Sequence, residues 1–114
     1  MAIIKNEIPI LEYDDSQLSV LMPNHDKLNL QLPKKAVFAF LGSHTDEYAN
    51  KHNCEIVAKF ESATKVYPIY LTHYQGHEIC LCQAPVGSAP ATQILDWLIS
   101  YGVKEVISAG SCGA

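Results

Sequence analysis

The chain has 114 residues and a net charge of -4, with 48% hydrophobic and 18% charged residues. That length fits one domain, able to bury roughly two thirds of the surface its unfolded form exposes. The balance excludes disordered, collagen-like and low-complexity classes. The acidic charge argues against nucleic-acid binding, which needs a basic surface to displace phosphate counterions. All 8 basic residues are lysine, and the chain has no arginine.

No apolar run approaches the length of a membrane span, and Met1 to Lys5 lacks the plan of a signal peptide. Cys54, Cys80, Cys82 and Cys112 are scattered, mostly in apolar context. They read as free thiols in a reducing compartment, so the expected localisation is cytoplasmic.

Residues 1–35 are broken near Pro9, Pro23 and Pro33 and read as an arm wrapping the domain. Short extended segments are expected at Ile8–Tyr13, ended by Asp14-Asp15, and at Ser19–Met22, stopped by Pro23. From Ala36 the pattern sharpens. Ala36–Leu41 is a continuous apolar run, as in a central strand covered on both faces. After Gly42-Ser43, His44–Asn53 reads as a short helix with Ser43 or Thr45 as N-cap. Its acidic pair, Asp46 and Glu47, suits the positive end of the helix dipole. Glu55–Glu61, Val66–Thr72 and His77–Gln83 read as strands, the last two joined by a turn at His73–Gly76.

Ala84–Pro90 is a Gly/Pro-rich loop leading into a helix, where Pro90 is tolerated in the first turn. Ala91, Ile94, Leu95, Leu98 and Ile99 recur at helical spacing and form its expected core stripe. Trp97 and Tyr101 serve packing, within the monomer or at a subunit contact. Gly102 caps the helix. Glu105–Ala109 is a strand, followed by the loop Gly110-Ser111-Cys112-Gly113. The order β-α-β-β-β-α-β gives an α/β fold: a mixed β-sheet with flanking helices. Ala114 falls where such a fold would start its next helix, as if the fold stopped partway.

Three glycine-bearing loops, at Gly42, Gly87 and Gly110/Gly113, each follow a strand. In open α/β sheets ligands bind beyond the carboxyl ends of strands, and glycine lets backbone N–H groups approach them. His73, His77, Cys80 and Cys82 form no metal site by this reading. Cysteines two apart on a strand share a face, whereas metal pairs usually sit on turns. Cys112 lacks the local Cys/His signature of a nucleophile.

Ala84–Ala91, the following amphipathic stretch, Gly102–Ile107 and Gly110-Ser111-Cys112-Gly113-Ala114 resemble the purine nucleoside phosphorylase/uridine phosphorylase family. The arm Pro9–Asp14 resembles the opening of one of its branches. Family members are longer, so residues 36–114 look like the N-terminal portion of that family's domain. The resemblance implies that Gly42 and Ser111 contact phosphate, and that Val86 and Gly87 line the ribose. It implies that Cys112 and Gly113 line the nucleobase. Nucleoside and phosphate would be the ligands, with phosphate as co-substrate and neither cofactor nor metal. A homo-oligomer is expected.

The sequence departs from the family at both phosphate arginines. Asp46 stands where the first would be, four residues after Gly42, and Ser108 where the second would be. Arginine offers phosphate a bidentate fork, and a carboxylate repels it. The resemblance implies that the groups that clamp the ribose and protonate the base lie outside this stretch, so no catalytic residue is assigned. Two alternatives follow: a nucleosidase of the same superfamily, using water as nucleophile, or a non-catalytic, truncated nucleoside-binding or assembly module.

Overall fold

A computed structural model describes residues 3–4, 7, 13–14, 16–18 and 20–113. Two short strands, β1 (Ile3–Ile4) and β2 (Tyr13–Asp14), pair antiparallel. The rest of the Ile8–Tyr13 segment and Asp15 lie outside the described residues. So does Ser19, and Val20 and Leu21 form bends instead of the expected extended segment, because the chain enters a turn at Pro23–Asp26.

The main elements are β3 (Lys35–Phe40), α1 (His44–Lys51), β4 (Glu55–Glu61), β5 (Val66–Tyr74), β6 (His77–Gln83), α2 (Ser88–Ser100) and β7 (Glu105–Gly110). They form a five-stranded mixed sheet in the order β4-β5-β6-β3-β7. β3 runs parallel to β6 and to β7, whereas β4–β5 and β5–β6 are antiparallel. β5 runs two residues further than expected, because the hairpin turn uses only Gln75 and Gly76. Both have positive φ, 49° and 81°, matching the twist of a tight hairpin.

Alternation along the strands separates two faces. Ala36, Phe38, Tyr67, Ile69, Cys80 and Cys82 point to the α2 side and form the main core with Ile94, Trp97, Leu98 and Tyr101. Phe60, Trp97 and Tyr101 stack edge to face, at 5.4 and 5.2 Å between ring centres, and tie β4 to the helix. The helix stripe is rotated from the expected one: Trp97 is buried, while Ile99 is largely exposed. On the other face the short α1 covers only part of the sheet, packing Ala49 against Ala39, Tyr70 and Leu81. An apolar groove of about 530 Å³ stays open there, lined among others by Val37, Leu41, Tyr48, Tyr74 and Ile107. The apolar run of β3 is therefore covered fully on one face and partly on the other.

The end of α2 shows how a local motif secures the core. Val103 N–H donates to the Leu98 carbonyl and Gly102 N–H to that of Ile99, the two bonds of a Schellman cap. Leu98 and Val103 are both fully buried. Gly102 has φ of 124°, and a Cβ there would stand 2.9 Å from the Leu32 carbonyl oxygen and 2.5 Å from Gln31 Nε2. Gly102→Ala should therefore lower the unfolding free energy by about 1–3 kcal/mol, read as a fall in denaturation midpoint. An unchanged midpoint would remove this cap from the structure's essentials.

The cysteines give a second expectation. Burial pushes the Cys80 thiol up to about 11. Cys82 is pushed up to about 12, by burial first and then by Cys80 and Asp46. Both groups stay neutral in the folded state where free thiols would ionise. Their contribution is thus intact below the ordinary thiol value of about 8.5 and is lost as pH rises above it toward the folded values. Thermal stability should hold to about pH 8 and decline beyond it. At pH 8 Cys112, which is exposed, should react with a thiol reagent at once, and Cys80 and Cys82 only after unfolding. Rapid labelling of either buried thiol would contradict this packing.

Candidate functional site

Parallel pairing fixes where the three glycine loops lie. β3, β6 and β7 share a direction, so Gly42, Ala84–Gly87 and Gly110–Gly113 all leave the sheet at one edge. β3 lies between β6 and β7, which sets the Gly42 loop between the other two. Neighbouring strands are about 4.8 Å apart, so the three strand ends span about 10 Å. Gly42, Val86, Gly87, Ser111, Cys112 and Gly113 are all exposed along this edge, Val86 at 94%.

Local geometry gives each loop its form. Gly42 adopts φ of 56°, a left-handed conformation that lets β3 turn directly into α1. Ser43 occupies the N-cap position without a capping bond, and its hydroxyl donates to Glu47 instead. Thr45, the other N-cap candidate, lies inside the helix. Its hydroxyl is buried without a hydrogen-bond partner. Gly87, with φ of 105°, precedes α2, and Pro90 falls in that helix's first turn. The Ala84 N–H donates to the Ala39 carbonyl, so the Gly/Pro loop is tied to β3 from its first residue.

Asp46 does not face this edge freely. The Tyr70 hydroxyl donates to its carboxylate at 2.7 Å, joining α1 to β5. Tyr70 is pushed up to about 12, by burial first and then by Asp46. Sequence reading missed this pair. The alternation of β5 puts Tyr70 on the α1 side, but nothing local announces a partner 24 residues away. Ser108 lies on the α2 side of β7, opposite Phe38, and is exposed.

The β4–β5 turn reaches the same edge, since β5 runs antiparallel to β6. A hollow of about 150 Å³ opens there, lined by Ser62, Thr64, Tyr67, Val86, Pro90 and Gln93 among others. His73 and Glu78 face each other at 3.8 Å across the hairpin at the opposite edge, whereas Cys80 and Cys82 are core residues. Among the described residues no three His, Cys, Asp or Glu side chains gather as a metal site, and no helix is long and apolar enough to cross a membrane.

The comparisons with known proteins agree with this fold. The solved structure of purine nucleoside phosphorylase from Toxoplasma gondii in complex with immucillin-H is similar, with a TM-score of 0.58 over 86% of the chain. Identity is 20%, which speaks for the fold alone, and the chain spans 39% of that protein's length. No curated protein matches the sequence. The profile of the phosphorylase superfamily matches residues 34–114, the stretch that carries the sheet, both helices and all three loops. The chain belongs to the phosphorylase superfamily.

Proposed function

We propose that this chain carries the ligand-facing loops of a nucleoside phosphorylase, a pentosyltransferase that cleaves a nucleoside N-glycosidic bond with phosphate. The observation that carries the reading is the convergence of three glycine loops on one edge of parallel strands. A phosphate oxygen attacks the anomeric carbon as the bond to the base breaks. The products are a pentose 1-phosphate and the free base, which takes up a proton. The sugar passes through a cationic, oxocarbenium-like state, so an anion held beneath it stabilises the transition state. In this reading Gly42 and Ser111 hold phosphate, Val86 and Gly87 line the ribose, and Cys112 and Gly113 line the base. The enzyme is cytoplasmic and needs no metal or cofactor.

One observation favours a second reading, hydrolysis by a nucleosidase. Asp46 and Ser108 stand where the family resemblance puts phosphate arginines, and water needs neither. Phosphate and nucleoside titrations followed through backbone amide resonances separate the two. Phosphorylase function requires phosphate to shift Gly42 and Ser111, and inosine or uridine to shift Gly87 and Gly113. Ser111→Ala should weaken phosphate binding by roughly 1–3 kcal/mol without changing the unfolding midpoint. Nucleoside binding with no response to phosphate would move the assignment to hydrolysis. The 114-residue chain by itself should release no base, because the family resemblance assigns the protonating and ribose-clamping groups to none of its residues. Base release by a monomer of this chain would overturn the reading.

Homo-oligomer formation belongs to the same proposal. β7 is an edge strand of the sheet, and Ile107 on it is 69% exposed beside the open groove. An unpaired edge beside an apolar face favours pairing, by on the order of 25 cal/mol per Å² closed. Sedimentation should show concentration-dependent association that Ile107→Lys reduces. A monomer at every concentration would sink it.

A further inference from the structure

A second cleft, of about 540 Å³, opens where the arm passes β4 and α2, a volume in the range of small-molecule sites. None of the glycine-loop residues lines it. Three pieces of chain distant in sequence form its walls: the arm at residues 21–28, the end of β4 at residues 59–61, and α2 at Gln93, Asp96 and Trp97. β4 is an edge strand, and no strand of the arm joins it among the described residues. The arm is tied instead to the C-terminal end of α2. Leu28 N–H donates to the Tyr101 hydroxyl at 3.2 Å, and Leu32 N–H to the Tyr101 carbonyl at 2.8 Å. Before Leu28 the chain folds into a turn, where His25 N–H donates to the Met22 carbonyl at 3.0 Å and Lys27 N–H to the Asn24 carbonyl at 2.9 Å. The arm thus stands off from β4, and the gap between them is the cleft.

Its lining is divided by chemistry. Trp97 is buried and Phe60 half-buried, with their rings edge to face at 5.4 Å, so the floor is aromatic. The rim is charged. Asp26, Glu61 and Asp96, all exposed, bring carboxylates from three separate segments, against the single ammonium of Lys59. His25 lies beside Asp26 at 3.3 Å, so Asp26 has a charged partner only when that ring is protonated. The side chains of Glu61 and Asp96 make neither hydrogen bond nor ion pair among the described residues, and Lys59 approaches no carboxylate closer than 4.0 Å. The negative charge above the aromatic floor is therefore not cancelled from within the chain.

We propose that this cleft binds a small organic cation, a protonated amine carried on an aromatic or apolar body. The body covers Phe60, Trp97 and Leu28, and the ammonium lies among Glu61, Asp96 and Asp26. An aromatic face attracts the same sign of charge as a carboxylate does, so floor and rim select in one direction. A bare metal ion does not fit the description. It gains nothing from the floor, and among the described residues no three acidic, His or Cys side chains gather closely enough to hold one. The inference is independent of the phosphorylase reading, since it uses none of the glycine loops.

Trp97 is the chain's only tryptophan, so its fluorescence reports on the floor directly. The test is a titration with phenethylammonium, and with phenylpropionate as a similar body of opposite charge, followed by that fluorescence and by backbone amide resonances. Phenethylammonium should change the fluorescence saturably and shift the amides of Phe60 and Gln93, while Gly42 and Ser111 stay unmoved. Glu61→Gln and Asp96→Asn should each weaken binding about threefold, as for an exposed ion pair, and Lys59→Gln should tighten it by a similar factor. Added salt should weaken the wild-type interaction. Unfolding midpoints should match across the variants, since all three residues are exposed. Phenylpropionate bound as tightly as the ammonium, or affinity unchanged in both carboxylate variants, would overturn the proposal. So would a Trp97 signal that never saturates, or shifts at Gly42 and Ser111 in place of Phe60 and Gln93.

Discussion

The gathering of the three glycine loops at one edge depends on β3 being paired in parallel on both sides. Parallel neighbours cannot be joined by a tight turn, so each connection must travel back along the sheet before the next strand starts. Here β3 reaches β6 through α1 and the β4–β5 hairpin, and β6 reaches β7 through α2. The second connection passes over β3, because β7 pairs on its far side. The consequence is geometric: three strand ends point the same way, with the middle one first in sequence. Had β7 paired antiparallel, Ser111 and Gly113 would lie at the hairpin edge with His77, and no common site would exist.

The same pairing makes the two faces unequal. α2 has 13 residues and closes one face with an aromatic and aliphatic core, whereas α1 has 8 and leaves a groove on the other. A helix of 8 residues is about 12 Å long and cannot cover a five-stranded sheet, whose width is nearer 20 Å. Stability is therefore concentrated on the α2 side, where the Schellman cap and the bond from Leu32 N–H to the Tyr101 carbonyl lock the helix end to the chain before β3. The edge with the three glycine loops lies across the boundary between these halves. Its loops are exposed, but β3 and β6 beneath them are held by core packing that does not depend on the loops' sequence.

Much of this was legible in the residues, and the parts that were not have a common cause. β4 and β6 matched their expected limits, and the other main strands and both helices differed only at their ends, because apolar periodicity and Gly/Pro punctuation are local signals. Ile99 was placed in the core stripe and is exposed, because Trp97 is large enough to take the core contact and rotate the helix about its axis. The turn expected over His73–Gly76 shrank to Gln75-Gly76, since the antiparallel ladder continues through the His73–Glu78 and Tyr74–His77 pairs. Pairings distant in sequence left no trace. Neither the Tyr70–Asp46 bond nor the Lys65–Gln83 bond follows from spacing, since each joins separate elements whose register only the folded sheet defines.

Those two pairs bear on what a phosphorylase scaffold requires. A loop of backbone N–H groups carries only partial charges, so an anion held there needs a full positive charge nearby or a helix dipole aimed at it. Loss of arginine from such a site leaves two stable outcomes: another cation moves in, or the site gives up the anion and admits water. In this chain the Asp46 carboxylate accepts from the buried Tyr70, and Lys65, the one described lysine on that edge, donates to the neutral amide of Gln83. Both arrangements change the field in the same direction, screening the negative charge and keeping the positive one exposed. Around that edge Asp46, Glu47 and Glu61 supply negative charge, and Lys65 makes no ion pair with any of them closer than 4.0 Å. In the proposed phosphorylase reading, the orientation of phosphate falls to the loops, because the chain offers no arginine fork.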